Sequence, residues 1–140
     1  MQISVRETGA NKFTQEIKVG DHILVADEPV ANGGNDLGPS PYDFLLAALG
    51  SCTSMTLRLY ANLKKIPLEG VLVKLQYNKI HAQDCENCED KHALIDHIDR
   101  QIELKGNLTE EQRKKLLDIA NKCPVHRTLT SKIEITTKLL

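Results

Sequence analysis

Four cysteines, Cys52, Cys85, Cys88 and Cys123, carry most of the chemistry open to this 140-residue sequence. A thiol becomes a nucleophile or a metal ligand only as a thiolate. Its pKa, near 8.5 when free, falls beside cations or unpaired helix-end amides and rises in apolar surroundings. Cys52 lies among Leu45, Leu49, Met55, Thr56 and Leu59 at helical spacing, where free cysteine reads most simply as a core residue. Cys123 differs: it stands in Asn121-Lys-Cys-Pro-Val-His-Arg-Thr-Leu129, where Pro124 stops an incoming helix. Cys123 could cap a new turn there, and the free amides of that turn would favour its thiolate. The remaining pair, Cys85-Glu-Asn-Cys88, has His81 and His92 on either side. Four such ligands with tetrahedral geometry would make a structural zinc site, but a single C-x-x-C reads equally as an exposed dithiol or an inert polar loop. His22, His97 and His126 read as polar surface or interface residues.

These side chains need elements to position them. Ile3 and Val5, then Gln15 to Val19, then Ile23-Leu24-Val25 alternate or cluster as strands, with Gly20-Asp21 suited to a two-residue hairpin turn. From Asp27 to Pro41 the chain is punctuated by Pro29, Gly33-Gly34, Asn35-Asp36 and Gly38-Pro39, which makes a connecting loop. Ser40-Pro-Tyr-Asp43 then carries helix-start signals: a Ser cap, Pro at the first helical position and an acid three residues after the cap. The spacing predicts a helix from Pro41 to about Lys65, apolar all round in its first half and so centrally packed. Val71, Val73, Leu75 and Tyr77 alternate as a strand, as do Ile98, Ile102 and Leu104, with the polar stretch His81 to His92 between them. Thr109 and Gln112 form a capping box that opens a second helix ending at Cys123-Pro124, and Ser131 to Lys138, with Ile133 and Ile135 on one face, reads as a closing strand. The order favours an α+β fold in a single domain, residues 1–140.

Bulk properties bound the partners. The composition, 41% hydrophobic and 26% charged, is that of a soluble packed domain, and a formal net charge of −1 gives no footprint for nucleic acid or an anionic membrane. The N-terminus lacks the apolar centre of a signal peptide, and no apolar run approaches the roughly 20 residues that span a bilayer, so cytoplasm is expected. In that compartment four cysteines are expected to be thiols rather than a permanent disulfide framework. A helix as apolar as the first needs more cover than one small sheet supplies, which points to a partner subunit.

The segment Gly38-Pro-Ser-Pro-Tyr-Asp-Phe-Leu-Leu-Ala-Ala-Leu-Gly-Ser-Cys52-Thr-Ser-Met resembles the cysteine-bearing helix of the OsmC/Ohr family of organic hydroperoxide reductases, and Cys123-Pro-Val-His126 resembles that family's resolving-cysteine segment. The resemblance extends over essentially the whole chain. Asp27-Glu-Pro29, Gly33-Gly34 and the stretch from Cys123 to Leu129 look most like the branch found fused behind an α/β-hydrolase. It implies an OsmC-like fold and an intertwined homodimer, two central helices wrapped by antiparallel-rich sheets, with each active site built from both subunits. It also implies a cofactor-free thiol peroxidase with Cys52 peroxidatic and Cys123 resolving, a hydroperoxide as substrate and a cellular dithiol as reductant.

Such chemistry needs a cation beside the reactive thiol and a carboxylate to orient it. Ohr-type proteins place a Glu ten residues before that cysteine; here the position is Tyr42, with Asp43 one residue later. The family's active-site Arg comes from an early loop, for which Arg6 and Lys12 are candidates, while Arg127 could act from the Cys123 side. The departure at Tyr42 keeps a second reading open, a ligand-binding or accessory domain that retains the fold without efficient chemistry. A zinc-stabilised interaction module, resting on Cys85, Cys88, His81 and His92, is a third.

Overall fold

The computed structural model describes residues 2–81 and 94–139, with only the backbone described at His81. Cys85, Cys88 and His92 therefore lie outside the described residues, and so does the zinc-site expectation built on them. The chain forms two compact units, Met1–Ala47 and Ala48–Leu140.

The first unit holds a three-stranded antiparallel sheet in sequence order, β1 (Ile3–Glu7), β2 (Gln15–Val19) and β3 (His22–Ala26). Gly20 takes φ +59° in the two-residue turn between β2 and β3, a conformation that glycine adopts without steric penalty. The loop that follows is organised by Asp27, whose side chain is buried and accepts from the amides of Glu28 and Leu37 and from the Thr14 hydroxyl. Burial opposes its charge, but those donors and the Asn35 amide outweigh it and hold the carboxyl below its ordinary range.

Helix α1 (Pro41–Leu63) begins in this unit and continues through the second. By length and composition alone it matches a membrane span, with a mean hydropathy of 1.2 over its most apolar stretch, which corrects the expectation that no run is long and apolar enough. A core helix of an α+β domain meets the same criterion, and Leu57 and Ala61 of α1 are core residues here. The buried stripe is Leu49, Thr53, Leu57 and Ala61 at intervals of four, with Gly50 beside it. Met55 and Leu59, expected on the packed stripe, are 71% and 62% exposed. An apolar pattern that runs nearly all round a helix does not fix its phase. Small side chains fix it instead, because they admit the sheet: the Leu75 side chain comes within 2.8 Å of where a Cβ on Gly50 would sit. The chain leaves α1 through Lys65 at φ +55°, with Pro67 preventing continuation.

In the second unit, β4 (Gly70–His81) and β5 (Leu94–Lys105) pair antiparallel over twelve residues, Gly70 opposite Lys105 and His81 opposite Leu94. Val71 of β4 with Ile102 and Leu104 of β5 packs against a core of Leu57, Ala61, Leu68, Leu116 and Ala120. α2 (Glu110–Ala120) starts on the expected capping box, in which Thr109 Oγ1 accepts from Gln112 N and the Gln112 side chain accepts from Thr109 N. A short helix, α3 (Pro124–Leu129), follows at once. The expected closing strand does not form: residues 132–139 carry no strand, and Ile133 and Ile135 are 54% and 84% exposed. Alternation supplies a face, but a strand also needs a partner edge for its amides and carbonyls, and residues 132–139 pair with none of the described strands.

Candidate active site

The site assembles in the second unit where the middle of α1 meets the start of α3 and the centre of β5. Cys123 is the N-cap of α3, as its position before Pro124 suggested. Proline at the first helical position has no N–H, so the first amides needing acceptors are those of Val125 and His126. Two sulfurs take them: Val125 N donates to Cys52 Sγ at 3.5 Å and His126 N donates to Cys123 Sγ at 3.3 Å. The two thiols are free, and the Cys52 thiol is near enough to help lower the pKa of Cys123. Their exposure is unequal. Cys123 has no exposed surface, whereas Cys52 is half-buried, so the simple core reading fits Cys123 better than Cys52.

The cation at this pair is Arg100, a residue that sequence reasoning passed over. It donates through Nη1 to Thr53 Oγ1 at 3.0 Å and to the Ala120 carbonyl at 3.3 Å, and through Nη2 to Asn121 Oδ1 at 2.8 Å. Thr53, wholly buried on α1, donates to the Leu49 carbonyl at 2.7 Å and lies 3.8 Å from Cys123 Sγ. Burial raises the Cys123 thiol, but the His126 amide, the Thr53 hydroxyl, the Cys52 thiol and the Arg100 charge together outweigh it, so the thiol lies below its ordinary range. His126 is lowered as well, by burial first and then by the Arg100 charge, which keeps its imidazole neutral at neutral pH. A signal for Arg100 was present in the sequence. Ile98, Arg100, Ile102 and Leu104 alternate on the inward face of β5, and an arginine on an apolar strand face needs acceptors.

The other candidates sit elsewhere. Asp43 Oδ2 accepts from Ser40 N at 2.9 Å and from Ser40 Oγ at 2.6 Å, the cap of α1, and those bonds lower its pKa. Arg6 pairs with Glu16 at 2.7 Å across β1 and β2, and Lys12 lies over the Phe13 ring at 4.8 Å. Arg127 is exposed on α3. Among the described residues there is no cluster of three or more metal-ligating side chains.

A cleft of about 420 Å³ is lined by Arg100, His126 and Asn121 on its polar side and by Leu49, Ile98 and Leu117 on its apolar side; it reaches the thiols' neighbours Arg100 and His126, and neither Cys52 nor Cys123 lines it. The arrangement can stabilise a thiolate, admit a small amphipathic molecule and close a disulfide between adjacent helices.

The fold is α+β, with antiparallel sheets and, among the described residues, three α-helices that bring half-buried Cys52 beside buried Cys123. Residues 33–138 match the family model described as OsmC-like protein, a stretch that runs through both compact units, and the chain belongs to that family. Solved structures agree on the fold. An OsmC-like protein from Mycoplasma pneumoniae superposes with a TM-score of 0.70 at 20% identity, over 91% of this chain and 85% of that one. An organic hydroperoxide resistance protein, OsmC, from Legionella pneumophila gives 0.66 at 18%, over 92% and 88%. The organic hydroperoxide resistance protein OhrB of Bacillus subtilis gives 0.62 at 17%, over 92% and 89%. A search of curated protein sequences finds no match.

Proposed function

We infer that the protein is a thiol-dependent hydroperoxide reductase that works as one OsmC-like domain in a cytoplasmic homodimer. The observation that carries this reading is the pair of adjacent thiols sharing the first two amides of α3, with Arg100 beside them. Membership of the OsmC-like family and likeness to proteins named for organic hydroperoxide resistance support it.

The roles follow from access. Cys52, half-buried, is the sulfur a peroxide can reach; its thiolate attacks the O–O bond, an alkoxide leaves and takes a proton as alcohol, and Cys52 becomes a sulfenic acid. Cys123, sealed from solvent and held toward the thiolate, attacks the Cys52 sulfur, hydroxide leaves as water, and the disulfide forms. A dithiol restores both thiols. Arg100 takes the part of the cation sought at Arg6, Lys12 or Arg127, and Asp43, engaged at the α1 cap, is a weaker candidate for electrostatic support.

Adding a bulky organic hydroperoxide to reduced protein should give an intramolecular Cys52–Cys123 disulfide, seen as a two-proton mass loss and a linked peptide pair. Cys52→Ser should abolish peroxide consumption, and Cys123→Ser should allow one turnover and leave a trappable sulfenic acid. Wild-type consumption no faster than that of Cys52→Ser, with dithiol in excess, would replace this reading by the second one. That second reading, a ligand-binding or accessory domain using the same cleft, draws its support from Tyr42 standing where Ohr-type relatives carry a glutamate.

A further inference from the structure

We propose that Arg100 acts through Thr53 to make Cys123 the leaving group when the oxidised pair is reduced, so that an incoming dithiol attacks Cys52 and forms its mixed disulfide there. The inference rests on reading Cys52 and Cys123 as a disulfide-forming pair.

Access sets the point of attack. A thiolate must approach a disulfide sulfur from outside, and Cys123 offers no surface while Cys52 does. Thr53 sets the departure. Its oxygen has one proton and two lone pairs, and Arg100 Nη1 occupies one lone pair at 3.0 Å. With a Cys123 thiol, the other lone pair accepts S–H while the hydroxyl proton stays on the Leu49 carbonyl. With a Cys123 thiolate, the hydroxyl turns and donates to sulfur, and the adjoining guanidinium polarises it. Thr53 thus serves either protonation state, and Arg100 biases it toward the charged one. Arg100 itself is held by the Ala120 carbonyl and Asn121 at the end of α2, so only the Thr53 hydroxyl turns as charge appears on Cys123. The other titratable groups around this point are Cys52 from α1 and neutral His126 from α3, with Asp96 also lining the cleft.

The step balances. One thiolate of the dithiol attacks Cys52 Sγ, the Cys52–Cys123 bond breaks, and its electron pair goes to Cys123. The second thiolate of the reductant then attacks the sulfur joined to Cys52, the reductant leaves as a disulfide, and Cys52 is released as thiolate. Two electrons pass to the protein, and the reductant's two protons pass to solvent or to the released thiols.

The test uses full-length protein with Cys85→Ser and Cys88→Ser, oxidised with diamide rather than peroxide. Brief treatment with 2-mercaptoethanol, acid quench, N-ethylmaleimide and peptide mapping should place mercaptoethanol on Cys52 and maleimide on Cys123. The reverse placement overturns the proposal. Arg100→Gln should slow the opening roughly three- to tenfold, because a leaving thiol of higher pKa departs more slowly. In the Cys52→Ser background the same change should move the thiolate absorbance of Cys123 to higher pH, with Arg100→Lys restoring part of both effects. Folded Arg100→Gln protein unchanged in rate and titration removes Arg100 from the account; if that variant does not fold, Arg100→Lys and the wild-type mapping decide. Diamide failing to close the pair sinks this inference together with the peroxidase reading. Correct mapping without peroxide consumption counts against the peroxidase reading alone.

Discussion

At the scale of single residues, Cys123 and His126 both favour higher pH, in different windows, and Thr53 acts through the first of them. Thr53→Val keeps the shape and removes the hydroxyl, so Arg100 loses one acceptor and Cys123 one donor. It should cost about 1–3 kcal/mol by leaving a partly buried donor unsatisfied, read as a lower urea midpoint, and raise the pKa of Cys123. An acid whose pKa is lowered by folding contributes stability fully only above its unfolded pKa and loses it as pH falls through the folded value. As pH rises toward about 8.5, the ordinary thiol value, reduced wild-type protein should therefore gain stability relative to Cys123→Ser. His126 works from the other side of neutrality. Its folded pKa lies below the unfolded value of 6.5, so the unfolded chain takes the proton first and the fold loses stability as pH drops below that point. Urea melts at pH 7.5 and 5.5 should show wild type losing more than His126→Gln on acidification; equal losses would mean that the imidazole is not held neutral.

At the scale of elements, the buried cluster lies where α1 meets α2, with Ile102 and Leu104 of β5 packed against it. Leu57 and Leu116 are fully buried in the same cluster, and either one changed to Ala should cost about 2–5 kcal/mol, measurable as a shift of midpoint with unchanged slope. Thr109→Ala removes the cap of α2 and should cost about 0.5–2 kcal/mol. What could be read in advance divides along physical lines. Caps are local: Ser40 with Asp43, Thr109 with Gln112, and Cys123 before Pro124 all depend on neighbours within three residues, and each was legible. The phase of α1 was not, because it depends on which face the sheet approaches, and Gly50, Thr53 and Ala61 carry that information in their smallness rather than their hydropathy. Arg100 escaped for a related reason. Its three acceptors lie on α1, on α2 and just beyond the end of α2, distant in sequence, and only the strand alternation hinted at its inward face. The closing strand was read from alternation that is present, but pairing depends on an edge that the sequence of one segment cannot declare.

At the scale of the whole molecule, Met55, Leu59 and Leu63 form an apolar line along α1 at intervals of four, each more than 60% exposed. Water is a poor neighbour for such a line, and burying it against a second copy would remove the exposure. Light scattering should give a mass near twice 15.6 kDa. Leu59→Asp should shift the protein toward monomer and reduce peroxide turnover if the dimer supports the site, with a stable wild-type monomer at micromolar concentration as the outcome against it.

The cap that Cys123 provides for α3 also bears on how readily the oxidised pair accepts electrons. The His126 amide, Thr53 and Arg100 all stabilise the reduced, anionic sulfur, and none of them gains as much from a neutral disulfide. Whatever favours the reduced state raises the reduction potential of the couple, by roughly 30 mV for each tenfold change in equilibrium constant. Weakening any of these contacts should therefore make the disulfide harder to reduce. Equilibration with a dithiol buffer should show Thr53→Val and Arg100→Gln more oxidised than wild type at the same poise. If Cys52 and Cys123 form the proposed disulfide, the short helix that begins at Pro124 would set how mild a reductant is enough to reset it.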